Sequence, residues 1–179
     1  MNNPNTFRDF LDLIKNFGSA DALYDKNQGK VISYDELYTS IYDLAKRLPI
    51  KQGERVLVYD VHSLDWVIIF FAVQLRKGIV VPIDTRVSKD FIQDTIDLVE
   101  PKLIISDTFS DVAITSLTYK QLEERESDGV ILDGSDGTLP AQILFTSGTW
   151  SRPKGVTLSA QNILANAYQL LAVYPSNRP

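Results

Sequence analysis

The 179-residue chain has 18 basic and 23 acidic side chains, a net charge of −5 with its single histidine neutral, and 44% hydrophobic residues. With a mean hydropathy of −0.07, this is the composition of a water-soluble domain long enough for a real core, and its acidic balance excludes the basic surface that nucleic-acid binding needs. The lack of cysteine excludes a disulfide framework, a thiolate nucleophile and a zinc–thiolate site.

The stretch from Met1 to Thr6 is polar and has no apolar signal core. The longest apolar run, Trp66 to Val73, is too short for a membrane span, so a cytoplasmic protein is expected. Phe7, Phe10, Leu11, Leu13, Ile14 and Phe17 recur at helical spacing, and Gly18 marks the stop. Ala22–Tyr24 and Lys30–Ile32 read as short strands joined by a turn at Asn27-Gln28-Gly29. Ser33, with Glu36 three residues on, spells a capping box. Leu37, Ile41, Leu44, Ala45 and Leu48 give the helix that follows its apolar face, and Pro49 ends it.

The next segments alternate. Arg55–Tyr59 is a strand, Leu64–Lys77 a helix closed by Gly78, Ile79–Ile83 a strand, Lys89–Val99 a helix and Leu103–Ser106 a strand. The strands are continuous Val/Ile/Leu runs, the pattern of strands buried on both faces. The fold class is therefore α/β, a mostly parallel sheet flanked by helices. Thr118 to Gln121 offers a short capped helix. Glu123–Leu139 is an acidic, glycine-bearing connection with one small strand expected over 130–132. No internal repeat or domain linker is visible. Trp66, Phe70 and Phe71 read as core. His62, Asp60, Asp84 and Asp107 follow strand ends, and none carries a general acid or base assignment.

The most informative stretch is Phe145-Thr-Ser-Gly-Thr-Trp-Ser-Arg-Pro-Lys-Gly-Val156. An apolar run from Gln142 to Phe145 leads into it, and a helical segment from Ser159 to Val173 follows. Strand, polar glycine-containing loop with one lysine, then helix is an arrangement suited to polyphosphate. Small residues let backbone N–H groups approach the oxygens, hydroxyls donate, and an ammonium offsets the charge. By composition alone such a cluster reads first as a solvated loop. It is not a P-loop, because the lysine precedes the last glycine and no Lys-[Ser/Thr] follows.

The order of these residues resembles the phosphate-loop signature of the adenylate-forming superfamily, [Tyr/Phe]-Thr-Ser-Gly-[Ser/Thr]-Thr-Gly-x-Pro-Lys-Gly, departing at Trp150 and Ser151 only. That superfamily contains acyl-CoA synthetases, nonribosomal adenylation domains and luciferases. Ile32-Ser-Tyr-Asp-Glu-Leu37, Gly53-Glu-Arg-Val-Leu-Val58, Leu75-Arg-Lys-Gly-Ile-Val-Val-Pro-Ile-Asp84 and Lys102–Asp107 resemble further family segments in the family's order. The resemblance runs from about Phe7 onward.

The resemblance implies an ATP-dependent acid–thiol ligase of acyl-CoA synthetase type. Such an enzyme uses ATP and Mg2+ to convert a carboxylic acid to an acyl-AMP, then transfers the acyl group to a thiol of CoA or carrier-protein pantetheine. Thr146, Ser147, Gly148 and Thr149 would wrap the β- and γ-phosphates, Lys154 would supply positive charge, and Gly155 would relieve crowding where the chain turns away. No metal ligand is assigned. The catalytic lysine is expected beyond residue 179, in a C-terminal domain, and the chain as the N-terminal portion of the large domain, ending shortly after the loop at 145–156. Two alternatives stay open: a nonribosomal or aryl-acid adenylation domain, and an inactive truncated or degenerate nucleotide-binding module. Trp150 and Ser151 motivate the second, as does Ala160, where family members often carry histidine. Asn162 is retained.

Overall fold

The computed structural model describes residues 4–26, 29–59, 63–109, 113–130, 136–146 and 153–173. Helix α1 (Phe7–Ile14) starts at Thr6, whose side chain accepts the Asp9 N–H. It buries Phe7, Leu11 and Ile14, then tightens into a 3-10 turn over Lys15–Phe17 that ends at Gly18 with φ +54°. Strands β1 (Asp21–Asp25) and β2 (Lys30–Ser33) form an antiparallel hairpin. Helix α2 (Tyr34–Ala45) opens with the expected capping box: Ser33 Oγ accepts the Glu36 N–H, and Glu36 Oε2 accepts the Ser33 N–H at 2.8 Å.

The alternating segment folds as read, through β3 (Arg55–Tyr59), α3 (Ser63–Leu75), β4 (Ile79–Ile83), α4 (Lys89–Val99) and β5 (Leu103–Ile105). A two-residue strand β6 (Ser116–Leu117) and a capped helix α5 (Tyr119–Glu123) follow. Then come β7 (Pro140–Thr146), β8 (Lys154–Ser159) and α6 (Ala160–Val173).

The main sheet has the order β6-β5-β3-β4-β7-β8, parallel throughout except for β8. The chain steps from β3 to β4 and then crosses back over β3 to β5, so α3 and α4 lie on opposite faces, as right-handed crossovers require. Alternate strand residues divide accordingly. Val56, Val58 and Val80 pack with α1, α2, α3 and the start of α6, whereas Leu57, Val81 and Ile83 pack with Ile92, Ile96 and Val99 of α4. Arg55 ties the layers together: its guanidinium donates to the carbonyls of Val99 and Glu100 at the end of α4. The aromatic reading holds. Trp66 stacks on Phe70 at 5.4 Å, and Phe7 meets Phe70 and Phe71 edge-on.

Two expectations need correction. The expected closure of α3 at Gly78 differs in its turn residue, because Lys77 and not the glycine takes the positive φ, of 55°. Gly78 N–H reaches Val73 O and Lys77 N–H reaches Gln74 O, a Schellman closure displaced by one residue. Gly78 is needed for space instead, since a Cβ there would stand 2.8 Å from Ile50 Cδ1. The phosphate-loop stretch does not run from strand through loop to helix, because β8 intervenes. The short strand expected over 130–132 is not seen at Val130, and residues 131 and 132 lie outside the described residues, as do Asn27 and Gln28.

Candidate functional site

Strands β7 and β8 make an antiparallel hairpin whose tip is the hydroxyl- and glycine-rich segment. The register pairs Leu144 with Val156, Phe145 with Gly155 and Thr146 with Lys154. Of the residues expected to hold phosphate, Thr146 ends the outgoing strand, and Lys154 and Gly155 begin the returning one. The hairpin therefore brings Thr146 and Lys154 to the same level on either side of the tip. Ser147, Gly148 and Thr149 lie outside the described residues, together with Trp150, Ser151, Asp60 and His62.

Lys154 is exposed, and its side chain makes no hydrogen bond or ion pair with another described residue. Pro153, immediately before it, is buried and shares a recess with Asp94, Asp97 and Leu98 of α4. Gly155 does not relieve crowding at a turn, as expected from the motif. It sits inside β8, where a Cβ would approach Ile143 Cγ2 to 2.9 Å and Phe145 Cε1 to 3.1 Å. The glycine lets the hairpin close under the Phe145 ring, which in turn meets Phe91 of α4 edge-on at 6.4 Å.

Because β7 is parallel to β4, the mouth of the hairpin lies at the carboxyl edge of the sheet. The connections after β3 and β4 depart to opposite faces there, which is where open α/β sheets place ligands. A cleft of ≈ 660 Å³ occupies this edge, lined by Asp84, Arg86, Ser88, Phe91, Leu144 and Phe145 among others. Arg86 grips Asp84 in a two-pronged pair, with Nη2 to Oδ2 at 2.6 Å and Nε to Oδ1 at 2.9 Å. The Arg86 guanidinium, with help from its own backbone N–H, holds the Asp84 carboxyl down at about 2, and the pair raises Arg86 in return. Arg86 was not singled out in the sequence; an arginine two residues past a strand-ending aspartate is the only local sign of it. Asp107 stands exposed past β5 and joins no cluster. Among the described residues no group of three or more His, Asp or Glu side chains could hold a metal ion.

At the foot of the hairpin, Ser159 caps α6. Asn162 Oδ1 accepts from Ser159 N and Oγ at 3.0 Å, and Asn162 N–H returns a bond to Ser159 Oγ. The retained Asn162 therefore serves helix initiation. Ala160 is buried at 5% exposure against the core under the sheet.

A model of the AMP-binding enzyme family matches residues 11–178. The chain belongs to that family. Equisetin synthetase eqxS of Fusarium heterosporum is 29% identical over 158 residues, which is 82% of this chain and 4% of that protein. The D-alanine–D-alanyl carrier protein ligase of Streptococcus equi subsp. equi (strain 4047) is 28% identical over 169 residues, 88% of this chain and 33% of that one. The solved structure of McyG A-PCP complexed with phenylalanyl-adenylate superposes with a TM-score of 0.82 at 23% identity, covering 97% of this chain and 31% of that chain. The chain spans about a third or less of each of these proteins. An AMP-binding, adenylate-forming ligase fold is thus established. Among the described residues no helix is long and apolar enough to cross a membrane.

Proposed function

We propose that this AMP-binding chain is the N-terminal, phosphate-loop part of a cytoplasmic, ATP-dependent acid–thiol ligase. The observation that carries the reading is Lys154. It is an exposed cation without an ion pair among the described residues, held level with Thr146 at the mouth of a hydroxyl-rich hairpin on the carboxyl edge of the sheet. In adenylation a carboxylate oxygen attacks the α-phosphorus of ATP, an acyl-AMP forms, and pyrophosphate leaves carrying the bond's electrons. The obstacle is charge, an anion approaching a polyanion. Lys154 and the donors of the loop would take up charge on the departing β- and γ-phosphates, and Mg2+ bound with ATP would supply further positive charge. Ser147, Gly148 and Thr149 would supply the remaining contacts to phosphate.

The acyl group then passes to a thiol, of CoA or of carrier-protein pantetheine. The streptococcal relative is by name a carrier protein ligase, which favours the carrier-protein thiol over an acyl-CoA synthetase reaction. The test is acid-dependent exchange of labelled pyrophosphate into ATP by the natural gene product with Mg2+, followed by loading of CoA or of a pantetheinylated carrier protein. No exchange across a broad panel of carboxylic acids overturns the ligase and leaves an inactive nucleotide-binding module. Its motivating departures are Trp150, Ser151 and Ala160.

A further inference from the structure

Gln74 is an amide in an otherwise apolar run, Trp66-Val-Ile-Ile-Phe-Phe-Ala-Val-Gln-Leu75 of α3, and it is only 7% exposed. A buried amide among hydrocarbon side chains is costly unless its hydrogen bonds are met. Gln74 Nε2 donates to the carbonyl oxygen of Ala141 at 2.9 Å, in a bond buried at both ends. Ala141 is not an ordinary strand residue. The β7–β8 register steps from Pro140↔Ser159 to Gln142↔Leu158, which leaves Ala141 as the extra residue of a bulge.

The attachment of β7 to the body of the sheet gives this bond its leverage. Strands β3 and β4 are registered over five residue pairs and β3 and β5 over three, but β4 and β7 over one, Val80↔Gln142. The hairpin that carries the phosphate loop is thus registered over six pairs within itself and over one with β4. The Gln74 bond falls one residue from that single registered pair. We propose that Gln74 is a positioning residue, fixing through the Ala141 bulge where β7 leaves the sheet and so where Thr146 and Lys154 present themselves to ATP. This rests on the phosphate-loop reading given above.

The bond and its volume can be separated with Gln74→Met and Gln74→Glu. Methionine keeps the length and lacks the donor. An ionised glutamate sets an acceptor against the Ala141 carbonyl; Lys77 and Asp136 are the ionisable groups that share the small cavity beside it. In pyrophosphate exchange by the natural gene product, the apparent KM for ATP is expected to rise about tenfold in Gln74→Met, the effect of leaving one buried acceptor unmet, and further in Gln74→Glu. The KM for the acid should stay within about twofold, so that the loss falls on ATP. A role in packing alone would instead leave the KM for ATP at its wild-type value in both variants, and that result overturns the proposal.

Hydrogen–deuterium exchange gives a readout independent of activity. Backbone amides of 141–146 and 154–159 should exchange about tenfold faster in Gln74→Met while those of β3 and β4 are unchanged. Equal acceleration across all these strands would reduce Gln74 to general stability and overturn the proposal. A wild-type protein with no exchange activity defeats the ligase reading, and the hydrogen-exchange arm still decides Gln74.

Discussion

Phe145 and Gly155 face each other across the β7–β8 hairpin, with the ring edge so near that a Cβ on residue 155 would stand 3.1 Å from Phe145 Cε1 and 3.2 Å from Cζ. The last glycine of the Pro-Lys-Gly stretch is therefore a packing residue. It lets an aromatic ring seal the inside of the hairpin and contact α4, so the paired strands are held by the core beneath them.

Gly155→Ala should destabilise the protein by about 1–3 kcal/mol, the usual cost of forcing a methyl into a filled site. Its φ is not positive, so backbone strain adds nothing. On a Phe145→Leu background the cost should shrink without vanishing, because Ile143 Cγ2, at 2.9 Å, crowds the same position. Chemical denaturation of the two single variants and the double variant reads the coupling. Additive effects would mean that the ring does not set the glycine.

The central strands were legible because burial on both faces leaves an uninterrupted Val/Ile run, and β3 and β4 match the segments read from the sequence. β8 was not read as a strand, although Val156 and Leu158 alternate with Gly155 and Thr157. The Pro-Lys-Gly motif reads as the end of a loop, and its pairing partner, β7, lies on the far side of that loop. Arg55 belongs to a recognisable Gly-Glu-Arg-Val segment, but its grip on the carbonyls ending α4 joins residues 44 and 45 positions apart. Local patterns carry no such information. The sequence shows Gln74 only as a polar residue in an apolar run, and its partner is Ala141, at a bulge 67 positions away.

Lys154→Ala should separate function from stability. The side chain is exposed and unpaired among the described residues, so the melting transition should barely move. A charge-assisted contact to phosphate is worth about 1.5–3 kcal/mol, so the apparent affinity for ATP should fall about ten- to a hundredfold. Steady-state pyrophosphate exchange against ATP concentration checks this, and an unchanged ATP dependence would remove Lys154 from the site.

Arg86→Ala should release the Asp84 carboxyl. In the native pair the carboxyl titrates at about 2, below the ordinary aspartate value of about 3.9. The folded-state value is depressed, so the pair's contribution is present above the ordinary value and lost as pH falls from there toward 2. Both side chains are largely exposed, at 87% and 46%, so stability near neutrality should scarcely change. The visible effect is the titration of the Asp84 carboxyl carbon followed by NMR. Its midpoint should rise while staying somewhat depressed, because the backbone N–H of residue 86 still donates to Oδ1. A midpoint unmoved from about 2 would assign the effect to that N–H alone.

Arg76 offers a different case, since its side chain is 7% exposed and satisfies two partners at once. Nε and Nη2 donate to the Ile50 carbonyl, while Nη1 and Nη2 hold Asp128, with Nη2 2.8 Å from Oδ2. Arg76→Ala should cost about 2–4 kcal/mol, because a buried carbonyl loses its donors along with the ion pair. The two parts separate with pH. Burial is the largest single influence and pushes the Asp128 carboxyl up, but the Arg76 hydrogen bond, the Val130 N–H and the Arg76 charge together outweigh it, and the net shift is downward. The Asp128 part is therefore present at neutral pH and disappears as pH falls below the ordinary carboxylate value. The Ile50 part does not titrate. The wild-type advantage over Arg76→Ala in urea denaturation should thus narrow between about pH 5 and pH 2, yet remain nonzero at the acid end. An advantage that vanished would place the whole effect in the ion pair, and one that stayed constant would place it all in the Ile50 contact.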